Sequence, residues 1–134
     1  MSSPCCASKP APQIKDLDAL TSIYAALADP TRLRILSLLS EGEICVCHLH
    51  ASLDVPQPTA SRHLAYLRKA GLVETRRDGV WMHYRLARIA NPAVESVVRA
   101  ALHALTHAAI SANDERRLQG ALKAHSSALR TTAD

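Results

Sequence analysis

The chain has 134 residues, 48% of them apolar, with 16 Lys and Arg against 12 Asp and Glu, a net charge of +4, one Trp, three Tyr and no Phe. That length fits one domain with or without tails, and its apolar content can supply a core without disulfide staples. No apolar run approaches the roughly 20 residues needed to cross a bilayer, and the N-terminus lacks a basic region followed by an apolar stretch and a cleavage site, so a cytoplasmic protein is expected. Aromatics at 3% leave little stacking surface for single-stranded nucleic acid or sugars. In a reducing compartment the four cysteines read as metal, metalloid or redox ligands rather than as bridges.

Residues 1–13 hold three of the seven prolines and the Cys5-Cys6 pair. Such a composition cannot bury a core, and residues 1–15 are expected as a flexible arm. Asp16 or Asp18 is the expected cap of a first helix with Leu17, Leu20, Ile23, Tyr24, Leu27 and Ala28 at helical spacing. Asp29-Pro30 restarts the chain into a second helix with Leu33, Ile35, Leu36 and Leu39 as its stripe, and Gly42 supplies the stop. A short third helix from about Cys45 to Leu53 buries Val46, Leu49 and Leu53, and Asp54-Val55-Pro56-Gln57-Pro58 forces a turn.

Pro58 suits the first turn of a fourth helix over 59–70, with Ala60, Leu64, Leu67 and Tyr66 as its apolar positions, stopped by Gly71. Two extended runs, 73–77 and 80–86, flank Asp78-Gly79, a dipeptide that strongly signals a hairpin. Asn91-Pro92 opens a long helix whose Val94, Val97, Val98, Ala101, Leu102, Leu105, Ala108 and Ala109 form a wide apolar stripe needing a partner. Residues 16–110 are thus the expected domain, and 111–134 a tail, helical or frayed.

The charge is concentrated. Residues 60–90 carry Arg62, Arg68, Lys69, Arg76, Arg77, Arg85 and Arg88 against Glu74 and Asp78, a net of +5 that leaves −1 for the rest of the chain. Alone, such a stretch reads first as a solvated helix face followed by a charged hairpin. Its setting on a helix, tight turn, helix and hairpin makes it the footprint of duplex DNA on a winged helix-turn-helix, a mainly α fold with a β-hairpin. In that motif the second helix enters the major groove, which points to Gln57, Thr59, Ser61, Arg62 and His63, with Arg68 on the same outward face. Arg76, Arg77 and Arg85 of the hairpin fall to phosphate or the minor groove. Excess apolar surface on the first and fifth helices predicts a homodimer, and two-fold symmetry implies an inverted-repeat operator.

Three runs carry a family resemblance: ALADPTRLRILSLL from Ala26, TASRHLAYLRKAGLV from Thr59 and RDGVWMHYRL from Arg77. Over roughly residues 17–110 the chain resembles the ArsR/SmtB metalloregulatory repressors. The resemblance implies a homodimeric repressor that binds operator DNA without effector and releases it when a metal or metalloid binds. Trp81, His83 and Tyr84 match the wing strand and are read as packing residues.

The run EICVCHL from Glu43 resembles the ELCVCDL box of the arsenic- and cadmium-sensing branches, except that His50 stands where the best-known arsenic sensors have a third Cys. The missing thiol must come from Cys5 or Cys6, as some relatives recruit arm cysteines of one subunit to the Cys-x-Cys segment of the other. Trivalent arsenic is thiophilic and three-coordinate, whereas cadmium and lead accept three or four thiolates. Residues two apart in a helix point to nearly opposite sides, so Cys45 and Cys47 share an ion only if Cys45 is the non-helical cap. That position also favours the thiolate.

The expected ligands are Cys5, Cys6 and one or both of Cys45 and Cys47, with arsenite or antimonite ahead of cadmium or lead. Zinc is a secondary choice: His103 and His107 lack the carboxylate and further His of the family's zinc site, although His48 and His50 lie beside the thiols. Cysteine oxidation is the competing mode of control. A thiol oxidoreductase would need Cys-x-x-Cys in an α/β setting, and neither this nor a phosphate-cradling Gly-rich loop is present. The expectation is a regulator without catalytic residues, small-molecule substrate or permanent cofactor.

Overall fold

A computed structural model describes residues 14–108 and 110–132. Residues 1–13, with Cys5 and Cys6, and Ala109 lie outside the described residues. Among the described residues six helices and three short strands follow in the order α1 (Ile14–Leu27), α2 (Pro30–Leu39), β1 (Ile44–Cys45), α3 (Val46–Leu53), α4 (Gln57–Lys69), β2 (Val73–Asp78), β3 (Trp81–Leu86), α5 (Pro92–Leu105) and α6 (Ile110–Thr132).

Neither Asp16 nor Asp18 caps α1, because the helix is already running at Ile14. The cap expected of Asp29 is present: Asp29 is extended and its Oδ2 accepts the Arg32 N–H at 3.0 Å, with Pro30 in the first turn. Ile35, Leu36, Leu38 and Leu39 are the buried residues of α2, and Leu33 is half-buried.

Helix α4 starts at Gln57, two residues before the expected 59, with Pro56 as the extended entry and Pro58 inside the first turn, where no N–H is missed. Ala60, Leu64 and Leu67 are buried, whereas Tyr66 is exposed and takes the Arg32 guanidinium 4.1 Å from its ring centroid. The core joins these leucines to Leu49, Leu53, Leu72 and Val73.

The three strands form one antiparallel sheet in the order β1-β3-β2. Asp78 pairs with Trp81, so the two-residue loop is Gly79-Val80 rather than the expected Asp78-Gly79. Gly79 has φ +62°, and glycine at the first central position suits the twist of a two-residue hairpin. Residues 73, 75, 84 and 86 alternate onto the core side with buried Ile44, leaving 74, 76, 83 and 85 on the outer face.

Asn91 caps α5 by accepting the Ala93 N–H at 3.0 Å, and Val94 and Val98 are buried while Val97, Ala101 and Leu102 are half-buried. Of the two expectations for the tail, the helical one is observed, and α6 belongs to the packed core. Its Leu118 is buried, and its buried Asp114 receives both arms of Arg34 from α2, Nε to Oδ2 at 2.9 Å and Nη2 to Oδ1 at 2.8 Å. Arg34 Nη2 also donates to the Leu53 carbonyl at 2.9 Å, tying the C-terminal end of α3 to the same clamp.

Asp114→Ala leaves Arg34 without its carboxylate. Since Arg34 keeps 23% side-chain exposure, the loss should be about 2–3 kcal/mol, below that of a fully buried orphaned charge. Urea unfolding at fixed protein concentration should show a lower midpoint; an unchanged midpoint would mean that α6 does not dock.

Candidate effector and nucleic-acid site

Two residues of strand and one helix turn build the thiol site. Cys45 pairs with His83 of β3, which holds it extended (φ −68°, ψ 143°), and it is then the N-cap of α3. The non-helical cap position expected of Cys45 is observed. Because Cys45 is not yet helical, its side chain is free of the opposed orientation of an i, i+2 helical pair, and the Cys45 and Cys47 Sγ atoms lie 3.0 Å apart. Cys45 is buried and Cys47 half-buried. Among the described residues no group of three or more His, Cys, Asp or Glu side chains is placed to hold a metal ion. His103 and His107 are both exposed and meet edge to face, 5.2 Å between ring centroids.

The Cys47 thiol departs from the expectation that the helix end would favour the thiolate. Burial first, and then the hydrogen-bonded Cys45 sulfur, push it up to about 11, while the backbone N–H groups of His48 and Cys47 pull the other way and lose. A buried pair of like groups outweighs the helix dipole, whose effect is small and local.

The nucleic-acid candidates divide into exposed and internally engaged groups. On α4, Gln57 and Arg62 are exposed at the N-terminal end, Thr59 and Ser61 are half-buried, and Arg68 is exposed in the last turn. His63 is not outward as expected. Its side chain is 16% exposed, with Nδ1 3.7 Å from Asp29 Oδ2 and 3.5 Å from Arg32 Nη1. It faces the α2 cap because Asp29 and Arg32 offer it polar partners that its own helix does not. Asp29 is held below its usual range despite the opposing effect of burial, first by the Arg32 N–H and then by the charges of His63 and Arg32.

On the wing, Arg77 is exposed and makes no ion pair with a described residue. Arg76 is gripped by Glu43, Nε to Oε1 at 2.8 Å and Nη2 to Oε2 at 3.2 Å, which holds the Glu43 carboxyl below its usual range. Arg85 pairs with Glu74, Nε to Oε2 at 3.1 Å. Sequence reasoning missed both partners, although Glu74 and Arg85 are the facing residues that the strand register dictates. Tyr84 packs on the core, and burial raises its phenol above the ordinary range. His83 is half-buried, but Trp81 is 47% exposed beside Val80 at 92%, which corrects the reading of Trp81 as a packing residue. The two-residue loop carries both to the wing tip, beyond the reach of the core.

Residues 29–75 match the family model described as bacterial regulatory protein, arsR family. The chain is also 38% identical over 102 residues to the arsenic resistance transcriptional regulator ArsR2 of Pseudomonas putida, covering 75% of this chain and 82% of that protein. The chain belongs to the ArsR family. It is 56% identical over 66 residues to the arsenical resistance operon repressor of Escherichia coli, 48% of this chain, but spans only 56% of that repressor's length. A homodimeric winged helix-turn-helix DNA-binding domain from Mycobacterium bovis superposes with a TM-score of 0.61 at 33% identity, covering 75% of this chain and 87% of that one. The fold is therefore the winged helix-turn-helix of ArsR/SmtB regulators, a family of regulators rather than enzymes. No helix among the described residues is long and apolar enough to cross a membrane.

With its thiol pushed up to about 11, Cys47 should be alkylated by iodoacetamide at pH 8 at least about tenfold more slowly than free cysteine. Mass mapping of the modified peptide measures this; labelling at the free-cysteine rate would contradict the burial.

Proposed function

We propose that this chain is a transcriptional repressor that binds an inverted-repeat operator as a homodimer and releases it when arsenite or antimonite is taken up by cysteine thiolates. The observation that carries the reading is the 3.0 Å approach of the Cys45 and Cys47 sulfurs at the start of the helix-turn-helix. Two sulfurs this close fit a single soft ion and supply part of a three-thiol set. Cys5 and Cys6, on the arm, would complete it, within one subunit or between two. Bound there, a trivalent arsenic or antimony centre supplies a soft Lewis acid that holds several thiolates at one point. Cadmium, lead or zinc would use the same sulfurs, with His50 close by in the chain.

The chain's own residues supply the rest. Gln57, Thr59, Ser61 and Arg62 at the start of α4 face the groove, and Arg68, Arg76, Arg77 and Arg85 add phosphate contacts that raise affinity and salt dependence. His63, turned to Asp29 and Arg32, positions α4 against α2 and does not read a base. Tyr24, Leu27, Val97, Ala100 and Ala101 line a groove between α1 and α5 that suits the two-fold partner. Both sulfurs sit where α3 begins, so closing them onto the arm strains the first turn of the helix-turn-helix and shifts the spacing of the two α4 helices. Coupling of this kind is worth about 1–3 kcal/mol, several-fold to roughly a hundredfold in operator affinity.

A DNA-release titration on an inverted-repeat duplex, run in parallel with arsenite, antimonite, cadmium, lead, zinc and peroxide, tests the reading. Arsenite or antimonite should release the protein at the lowest concentration, and Cys5→Ser with Cys6→Ser should abolish that release while DNA binding persists. Unchanged release in the double variant would remove the arm from the site. Release by peroxide alone would replace the metalloid with thiol oxidation.

A further inference from the structure

The cysteine segment and the wing are one sheet. Cys45 faces His83 on β3, and His83 faces Arg76 on β2, so the three residues form a row across the strands. Two residues before Cys45, Glu43 reaches over this outer face and takes both Nε and Nη2 of Arg76, at 2.8 and 3.2 Å. The side chains retain 49% exposure for Arg76 and 30% for Glu43. A carboxylate bound in this two-pronged way occupies the same guanidinium edge that a DNA phosphate would take. An ion pair so open to solvent contributes little to stability, so exchanging Glu43 for a phosphate is close to balanced.

We propose that Glu43 is an internal phosphate mimic that competes with operator DNA for Arg76, and that its place beside Cys45 makes it the link between the thiol site and the wing. The inference rests on the reading of this chain as a DNA-binding repressor with an effector at Cys45 and Cys47. Without effector, Arg76 is divided between Glu43 and DNA, and the operator wins it at a small cost. The β1–β3 ladder passes any displacement of Cys45 to the wing strand. Anything that stiffens the 43–47 segment also stiffens the carboxylate that Arg76 must leave. Glu43 thus acts through Arg76 and is a positioning residue for DNA binding.

The test is a double-mutant cycle on the full chain without effector, using Glu43→Gln, Arg76→Gln and the pair, each checked for native circular dichroism. Binding to a fluorescent inverted-repeat duplex and to a scrambled duplex is measured by anisotropy across a salt series. Glu43→Gln should tighten binding about two- to fivefold at low salt and steepen the salt dependence by about one phosphate contact. In the Arg76→Gln background the same change should do nothing. With arsenite added, Glu43→Gln should lose less affinity than the wild type.

Equal tightening by Glu43→Gln with and without Arg76 would overturn the inference, since any removed negative charge would then serve. Failure of the wild type to bind either duplex would overturn the repressor reading beneath it, a distinct result.

Discussion

The pairing of Ile44 with Tyr84 and of Cys45 with His83 holds Cys45 in extended backbone at the point where the chain turns into α3. Were Cys45 one residue deeper in the helix, it and Cys47 would diverge, because residues two apart in a helix are separated by about 200° around the axis. Instead, strand pairing fixes the first cysteine, the helix fixes the second, and the sulfurs meet at 3.0 Å. The same pairing makes the thiol segment an edge of the sheet that carries the wing.

Magnitudes sort what supports this device from what merely decorates it. Leu36, Leu38 and Leu39 of α2, Leu49 and Leu53 of α3 and Leu64 and Leu67 of α4 are almost wholly inaccessible, each worth about 1.5–3 kcal/mol of burial, and they hold the helix-turn-helix rigid. The Arg34 and Asp114 clamp adds a largely buried ionic tie that also engages the Leu53 carbonyl. The wing pairs, Arg76 with Glu43 and Arg85 with Glu74, are half in solvent and add little to stability. Pairs this open to solvent exchange readily with another anion.

Local chemistry made much of this legible in the sequence. Asp29 and Asn91 announce helix starts by residue type, the hairpin announces itself through its glycine, and the cap position of Cys45 follows from where the third helix has to begin. What escaped was set by contacts between distant parts of the chain. Arg34 and Asp114 are 80 residues apart, and nothing in a polar, Ala-rich tail distinguishes one Asp as a buried partner. His63 lies on the polar side of α4 by pattern, yet Asp29 and Arg32 of another helix draw it inward. The Glu43 grip on Arg76 depends on a strand two residues long, too short to leave a periodic signal. The cost of placing two thiols together, visible in the raised Cys47, likewise required their separation in space.

Arsenic K-edge X-ray absorption on the arsenite-loaded protein, comparing the wild type with Cys45→Ser and Cys47→Ser, reads out whether the paired sulfurs hold the ion. The expected result is an all-sulfur shell in the wild type, with oxygen replacing sulfur in each variant. A sulfur shell untouched by either substitution would show that the paired sulfurs at the start of α3 are not the effector site.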